Sequence, residues 1–133
     1  MGMAIEVTSG VIATLLEEAQ KAAPHECCGL LMGTGARIEE ARAAANIDPE
    51  PHLRFEIAPA ALIAAHREAR AGGRAVLGYY HSHPAGHPVP SATDCAHSCG
   101  DNRVWAIIAG GEVRFWRDTA NGFAALSYSV VDG

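Results

Sequence analysis

The chain has 133 residues, of which 49% are hydrophobic and 19% are charged, and this balance is typical of one folded globular domain rather than a disordered segment. Its net charge of −5 disfavours nucleic-acid binding, which needs a basic face to displace counterions from phosphates. The sequence contains neither an apolar run near the ~20 residues that cross a bilayer nor a signal-peptide pattern. We therefore expect a cytoplasmic protein with a single domain over residues 1–133 and no nucleic-acid or membrane partner.

The first half of the chain is predicted to alternate short strands with two helices. Apolar residues recur with a period of 3.6 over residues 9–23, which predicts a helix with Thr8 or Ser9 as its N-cap and Pro24 at its end. A second helix is expected over residues 59–70, because a proline suits its first turn and glycines follow its end. The strands expected in this half are residues 3–7, 27–33, 36–45 and 55–57.

The second half is predicted to hold a central strand, a short helix, a hairpin and a last strand. Apolar and aromatic residues over 75–81 are typical of a buried strand, and a Pro- and Gly-rich loop separates it from a short helix over 91–100. The remaining strands are expected at 103–109, 112–117 and 123–131. The fold class is therefore a mixed α/β (α+β) domain, a single mixed sheet or partial barrel of five to seven strands flanked by two or three helices.

Four cysteines lack the spacing of a closed zinc ribbon. Cys27 and Cys28 are adjacent, and three residues separate Cys95 from Cys99. In a chain without an export signal thiols stay reduced, so we expect them to serve as small apolar residues, with Cys95 in the core. A disulfide or a second metal site are the alternatives.

Two histidines and an aspartate are spaced as ligands of one metal ion. His81 and His83 lie two residues apart at the end of a predicted strand, so their side chains point to the same face. Ser91 then suits a helix N-cap, and Asp94 lies three residues further along the same helical face. Two imidazoles and one carboxylate leave the fourth position of a zinc ion for water, and sites that are open in this way are catalytic.

Glu26 is the candidate general base for such a site. It stands between Pro24 and a run of apolar residues, at the mouth of a predicted buried strand. A carboxylate in that position is costly unless it has a partner or a use. Beside a metal ion, its use would be to accept a proton from water.

These residues together resemble the signature of the JAMM (MPN-plus) metalloproteases. The pattern of that family is a glutamate followed downstream by H-[ST]-H-P-x6-S-x2-D. Glu26, His81-Ser82-His83-Pro84, Ser91 and Asp94 match every position of it. The run Glu-Cys-Cys-Gly-Leu-Leu also resembles the strand opening of the family. The resemblance implies an MPN/JAB-like fold and a zinc metallopeptidase.

The resemblance also implies a role for each of these residues. His81, His83 and Asp94 correspond to the ligands of one zinc ion per chain, which acidifies water and polarises the scissile carbonyl. Glu26 corresponds to the general base, which takes a proton from the water and later gives it to the leaving amine. Ser91 corresponds to the residue that hydrogen-bonds the catalytic water or the oxyanion.

Three further residues are weaker candidates, for substrate contact. They are Ser82, His87 and Cys28, which lie close to the signature positions in the sequence. Because the implied mechanism has no covalent intermediate, Cys28 is not required as a nucleophile.

The substrate class is implied by the resemblance alone. Fewer than ten residues separate Asp94 from the next predicted strand, so there is little room for an insertion, and the chain resembles the minimal prokaryotic members of the family. Such members are thought to process ubiquitin-like or sulfur-carrier proteins with Gly-Gly tails. An extended Gly-Gly tail suits a narrow cleft beside a strand edge. Related domains often pair, so a homodimer is left open.

Three other functions compete with this interpretation. The first is a zinc hydrolase of short or cell-wall peptides. The second is a non-catalytic MPN interaction scaffold, although such relatives lose the ligands that are present here. The third is a zinc nucleobase deaminase, which needs H-x-E and P-C-x-x-C; Cys95 and Cys99 do not have that spacing, so this function fails.

Overall fold

The computed structural model describes residues 4–133, and within that range it has three helices and eight strands. The helices are α1 (Ser9–Ala22), α2 (Pro59–Arg70) and α3 (Ala92–His97). The strands are β1 (Ile5–Thr8), β2 (Cys28–Thr34), β3 (Arg37–Ala44), β4 (Ala75–Ser82), β5 (Val104–Ala109), β6 (Glu112–Thr119), β7 (Gly122–Leu126) and β8 (Tyr128–Val131). None of the helices in residues 4–133 has the length and apolar character that crossing a membrane requires.

All eight strands belong to one mixed sheet, in the order β7-β6-β5-β4-β2-β3-β1-β8. The outermost strands, β7 and β8, are consecutive in the chain, and only Ser127 separates them. The sheet must therefore curl until its two edges lie side by side. Tyr128 on β8 crosses this seam, since its hydroxyl donates to Val113 O at 3.3 Å and its ring packs on Phe115 of β6. The predicted α+β fold with a partial barrel is confirmed.

Helix α1 packs into the concave face of the curled sheet. Its N-cap is Thr8, whose side chain accepts a hydrogen bond from Val11 N at 3.3 Å. Val11 and Leu15 are buried on its apolar face and join a core cluster with Leu31 and Ile38 from the sheet. The apolar residues that recur with the predicted period of 3.6 thus form the helix face that fills the core.

The central strand β2 is apolar on both faces because helices cover both. Leu31 faces the cluster under α1, whereas Leu30 and Met32 belong to a second cluster with Ala65 of α2. β2 pairs antiparallel with β4, and β4 pairs parallel with β5. This arrangement places the end of β4, which carries the histidine pair, in the middle of the sheet.

The structure departs from the predicted elements at three places. The expected strand over 123–131 is two strands that break at Ser127, so the count is eight rather than five to seven. Residues 55–57 form an isolated bridge between Asn46 and Ile57 instead of a strand. The helix predicted over 91–100 spans only Ala92–His97. Position 3 of the first predicted strand lies outside the described residues.

Candidate active site

The two candidate histidines lie where β4 ends. His81 is completely buried and pairs across the sheet with Cys28 on one side and Ile107 on the other. His83 follows the last strand residue, and its main-chain N–H donates to Ile108 O at 2.8 Å. The Nε2 atoms of the two rings are 3.1 Å apart. The strand therefore directs both imidazoles to one point, as their spacing predicts.

Asp94 reaches the same point from α3. A capping box fixes the start of this helix: Asp94 N donates to Ser91 Oγ at 3.0 Å, and Ser91 N donates to Asp94 Oδ2 at 2.9 Å. The Asp94 carboxylate lies 3.0 Å from His81 Nε2 and 3.2 Å from His83 Nε2. It is 4% exposed, so these groups meet away from bulk water.

The three side chains fit a divalent metal ion. One ligand atom from each of His81, His83 and Asp94 lies within 4.8 Å of the others. His83 Nδ1 faces His87 O at 2.8 Å and can only donate to it, which leaves Nε2 of the neutral ring with a lone pair. Burial lowers the pKa of His81, which also favours the neutral imidazole that metals bind. Two imidazoles and a carboxylate form a donor set that suits zinc.

Electrostatics keep the carboxylate of Asp94 ionised. Burial by itself would raise the pKa of Asp94. The close contacts with His81 and His83 and the hydrogen bond from Ser91 N outweigh burial and hold that pKa well below its usual range. A negative oxygen therefore stands beside two nitrogen ligands, as a cation site requires.

Glu26 borders the cleft that opens above these residues. It joins α1 to β2, is 8% exposed and lines a cleft of about 330 Å³ together with His83 and Ser91. Burial is the main cause that raises the pKa of Glu26 from 4.5 to about 7, and Asp94 adds to it while His83 opposes it. A carboxyl group with a pKa near neutrality is suited to accept and return a proton.

The weaker candidates occupy different positions. Ser82 is buried, and its hydroxyl accepts from Cys27 N at 2.9 Å. Cys28 is also buried, and burial raises the pKa of its thiol to about 12. His87 is exposed, lines the cleft and orients His83 through its carbonyl oxygen. Substrate contact by these three side chains remains a prediction.

The cysteine predictions are partly wrong. All four cysteines are free, and Cys27 and Cys28 are buried as small apolar residues. Cys95, which was expected in the core, is exposed, as is Cys99. Helix α3 has only six residues, and its single buried residue is Asp94. The face that carries Cys95 therefore points to solvent.

Two residues near the site have no signal in the sequence motifs. The ring of Phe55 stacks on His81, with centroids 4.3 Å apart and planes at 18°. The side chain of Asn46 donates to Glu26 O and to Arg54 O, each at 3.0 Å. Both residues lie in the loop between β3 and α2. Neither periodicity nor ligand spacing singles them out, since their roles depend on contacts across the fold.

The sequence of this chain is similar to those of known proteins. Residues 8–119 match the family described as prokaryotic homologs of the JAB domain. The desampylase of Haloferax volcanii is 29% identical over 133 residues, which cover 98% of this chain and 96% of that protein. A probable TtuB-protein conjugate cleaving protease of Thermus thermophilus is 30% identical over 93 residues, covering 70% and 62% of the two chains.

Solved structures share the fold. A protein from Desulfitobacterium hafniense superposes with a TM-score of 0.84 at 27% identity and covers 97% of this chain and 94% of its own. A structure described as a metalloprotease-like zinc site, JAMM, in the proteasome and signalosome has a TM-score of 0.60 at 18% identity, over 96% and 99% of the two chains. The second similarity is one of fold alone.

Proposed function

This chain belongs to the family of prokaryotic homologs of the JAB domain and is a peptidase of the JAMM type, and we propose that it is a zinc-dependent isopeptidase that cleaves ubiquitin-like or sulfur-carrier proteins at a Gly-Gly tail. The observation that carries the proposal is the convergence of His81, His83 and Asp94 beside the buried Glu26. The names of the relatives, desampylase and conjugate cleaving protease, support conjugates of a small carrier protein as the substrate class.

His81, His83 and Asp94 would hold one zinc ion per chain. When bound, such an ion supplies Lewis-acid chemistry: it acidifies water and polarises a carbonyl oxygen. The chain's own contribution is to bury His81, which favours its neutral ring, and to keep the carboxylate of Asp94 ionised at a site from which bulk water is largely excluded. His87 O accepts from Nδ1 of His83 and so directs Nε2 of that ring to the same point.

Glu26 would move the proton. Its carboxylate accepts a proton from a water molecule in the cleft while the hydroxyl oxygen bonds to the scissile carbonyl carbon. The same proton then passes from Glu26 to the amide nitrogen as the C–N bond breaks. The products are a carboxylic acid on the tail, which keeps the second proton of the water until it ionises to solvent, and a free amine, and Glu26 ends as it began.

Ser91 would stabilise negative charge on the carbonyl oxygen. Its Oγ already accepts a hydrogen bond from Asp94 N, so its own proton is available to donate. The residue is half-buried and lines the same cleft as Glu26. A donor at this position acts most strongly when charge develops on the substrate oxygen.

A second cavity supports a narrow substrate tail. It measures about 450 Å³ and adjoins the cleft, because His83 and Pro84 line both. Small residues form much of its wall, among them Ala109, Gly110 and Gly111. An extended chain with small side chains would pass His83 and Pro84 from one cavity to the other.

The proposal extends to the setting of the enzyme. One continuous sheet supports a single domain over residues 1–133. The buried, unpaired thiols of Cys27 and Cys28 support the cytoplasm, where thiols stay reduced. A homodimer remains a prediction.

Digestion of a ubiquitin-like fusion with a Gly-Gly tail tests the function. We expect cleavage after the second glycine, loss of cleavage with a chelator, and recovery with zinc, all read by mass spectrometry. Glu26→Gln should keep the metal yet lose at least about 100-fold in kcat, because a proton acceptor is removed. Glu17→Gln, an exposed change of the same kind on α1, is the matched control.

Other outcomes separate the alternatives. Cleavage of short peptides at the same rate, without the folded carrier, would favour the small-peptide hydrolase. A protein that binds the carrier and never cleaves it would be the scaffold. A fully active Glu26→Gln variant would remove Glu26 from its role.

A further inference from the structure

The side-chain amide of Asn46 forms hydrogen bonds with Glu26 and with two parts of its own loop, at residue 48 and at residues 54 and 56. Its Nδ2 donates to Glu26 O and Arg54 O, each at 3.0 Å. Its Oδ1 accepts from Asp48 N at 3.1 Å and from Glu56 N at 3.0 Å. Two donated and two accepted bonds are the full capacity of an asparagine amide, and this pattern also fixes which atom is the nitrogen.

Both main-chain groups of Glu26 are bonded to the same segment, residues 46–56. Its carbonyl accepts from Asn46, and its N–H donates to Pro51 O at 2.7 Å. The segment thus holds the backbone of the general base on both sides. The next residue, Cys27, is in turn bonded to Ser82, which lies between the two histidine ligands.

The other end of the 46–56 segment contacts a metal ligand. Asn46 bonds to the residues on both sides of Phe55, and the Phe55 ring stacks on His81 at 4.3 Å. His81 is completely buried, and its Nδ1 lacks a hydrogen-bond partner among residues 4–133. Metal-binding histidines usually have their second nitrogen oriented by a hydrogen bond. The 46–56 segment therefore packs against this ligand through the ring of Phe55.

We propose that Asn46 is a positioning residue that sets the placement of the general base Glu26 relative to the ligand His81, through the 46–56 segment. The inference rests on the proposed function. The two carbonyls that accept from Asn46 belong to residues 26 and 54, and the two amides that donate to it belong to residues 48 and 56, so one side chain joins Glu26 to the segment on both sides of Phe55. Displacement of a catalytic group by about 1 Å can cost on the order of 100-fold in rate.

Two substitutions at Asn46 test the proposal. Asn46→Asp keeps the shape and the oxygen that accepts from Asp48 N and Glu56 N but replaces the donating Nδ2 with an oxygen, whereas Asn46→Ser shortens the side chain without adding a charge. For each we expect kcat on the Gly-Gly fusion to fall about 10- to 100-fold, with KM and metal affinity within about threefold of wild type. Metal affinity is read by competition with a chromophoric chelator. Asn121→Asp, at the exposed β6–β7 turn, is the matched control and should retain full activity.

Amide hydrogen exchange gives a readout that needs no substrate. The Glu26 amide is bonded to Pro51 and not to Asn46, so it reports on the segment as a whole. We expect this amide to exchange about 10-fold faster in both variants, while the amides of β6 are unchanged. Faster exchange together with the loss of kcat supports the proposal.

Each contrary result is distinct. Wild-type kcat in both variants overturns the proposal, and so does unchanged exchange at Glu26. Loss of kcat together with metal affinity, or a failure of both variants to fold, would make Asn46 a general structural support and overturn it too. A wild-type protein that is inactive on the fusion overturns the proposed function instead, and exchange at Glu26 still decides whether Asn46 holds the base.

Discussion

At the scale of single residues, Glu26 shows how a buried carboxyl group opposes stability. Burial raises the pKa of its carboxyl to about 7 from an ordinary value of 4.5. Between these two values the folded chain retains a proton that the unfolded chain has released. The metal-free protein should therefore become less stable as the pH rises through this window.

Glu26→Gln should relieve this cost in metal-free protein. The variant cannot ionise, so at pH 8 its free energy of unfolding should exceed that of wild type by on the order of 2–3 kcal/mol, and the gain should disappear near pH 4.5. Urea unfolding at both pH values, with a chelator present, measures the difference. Glu17→Gln should show no such pH dependence; a constant gap between Glu26→Gln and wild type would contradict the argument.

The residues that were predictable are those whose chemistry has a short, fixed spacing. His81, His83, Ser91 and Asp94 lie within 14 positions on one strand end and one helix start, and local geometry brings them together. Asn46 was not predictable, because three of its partners depend on how its own loop folds back and the fourth, Glu26, lies 20 residues earlier in the chain. Local periodicity carries no information about such a contact.

At the scale of elements, the pairing of β4 with β5 depends on a glycine. A Cβ atom on Gly78 would overlap the main chain of Val104 on β5, its partner in the parallel ladder. Main chain cannot rotate away as a side chain can. The absence of a side chain at Gly78 thus lets β4 approach β5 closely, four residues before β4 ends.

Gly78→Ala should separate these strands and disturb the histidine pair. We expect a loss of about 2–4 kcal/mol in the free energy of unfolding, together with weaker metal binding. Gly73→Ala is the control, because the added atom would lie 3.0 Å from the flexible Glu68 side chain and the end of α2. Equal stability of the two variants in thermal and urea unfolding would refute the strand-contact explanation.

The chain that follows α3 is held by a buried aspartate. Asp118 of β6 is 1% exposed and accepts hydrogen bonds from Ser98 Oγ and from the N–H groups of Cys99 and Gly100. These bonds fasten the end of the helix that carries Asp94 to the sheet. The helix has only six residues and would be marginal without them.

Asp118→Asn should loosen this attachment. One carboxylate oxygen becomes a donor that faces main-chain N–H groups, so we expect a loss of about 1–3 kcal/mol in stability. Differential scanning calorimetry measures it, with the exposed Asp132→Asn as control. Metal affinity should fall in parallel, since Asp94 moves with α3; unchanged affinity would show that the capping box at Ser91 suffices.

At the scale of the whole molecule, a metal ion would join elements that are distant in the sequence. Its ligands come from the end of β4 and from α3, which a Pro-rich loop separates. Zinc at about 100 times its dissociation constant should stabilise the fold by about 2.7 kcal/mol. The matching rise in Tm should vanish in His83→Ala and persist in His66→Ala on α2; an equal rise in both variants would indicate binding elsewhere.

The helices and strands were easier to predict than the curl of the sheet that brings its two edges together. Helices α1 and α2 and most strands follow from apolar period and from turn residues, and the fold class was confirmed. The break at Ser127 was missed because residues 123–131 form one run of strand-forming residues. Only the curled sheet shows that the chain must break this run, because its first part pairs at one edge of the sheet and its second part at the other.

That single-residue link also governs how the molecule comes apart. β7 pairs with β6 at one edge of the sheet and β8 pairs with β1 at the other edge. Only Ser127 links β7 to β8, so the two strands cannot move far apart. Detachment of β7 or β8 from its paired strand must therefore displace the other of the two as well. β7 and β8 are thereby bound into one unfolding unit, so partial opening should release both margins of the sheet together instead of fraying one at a time.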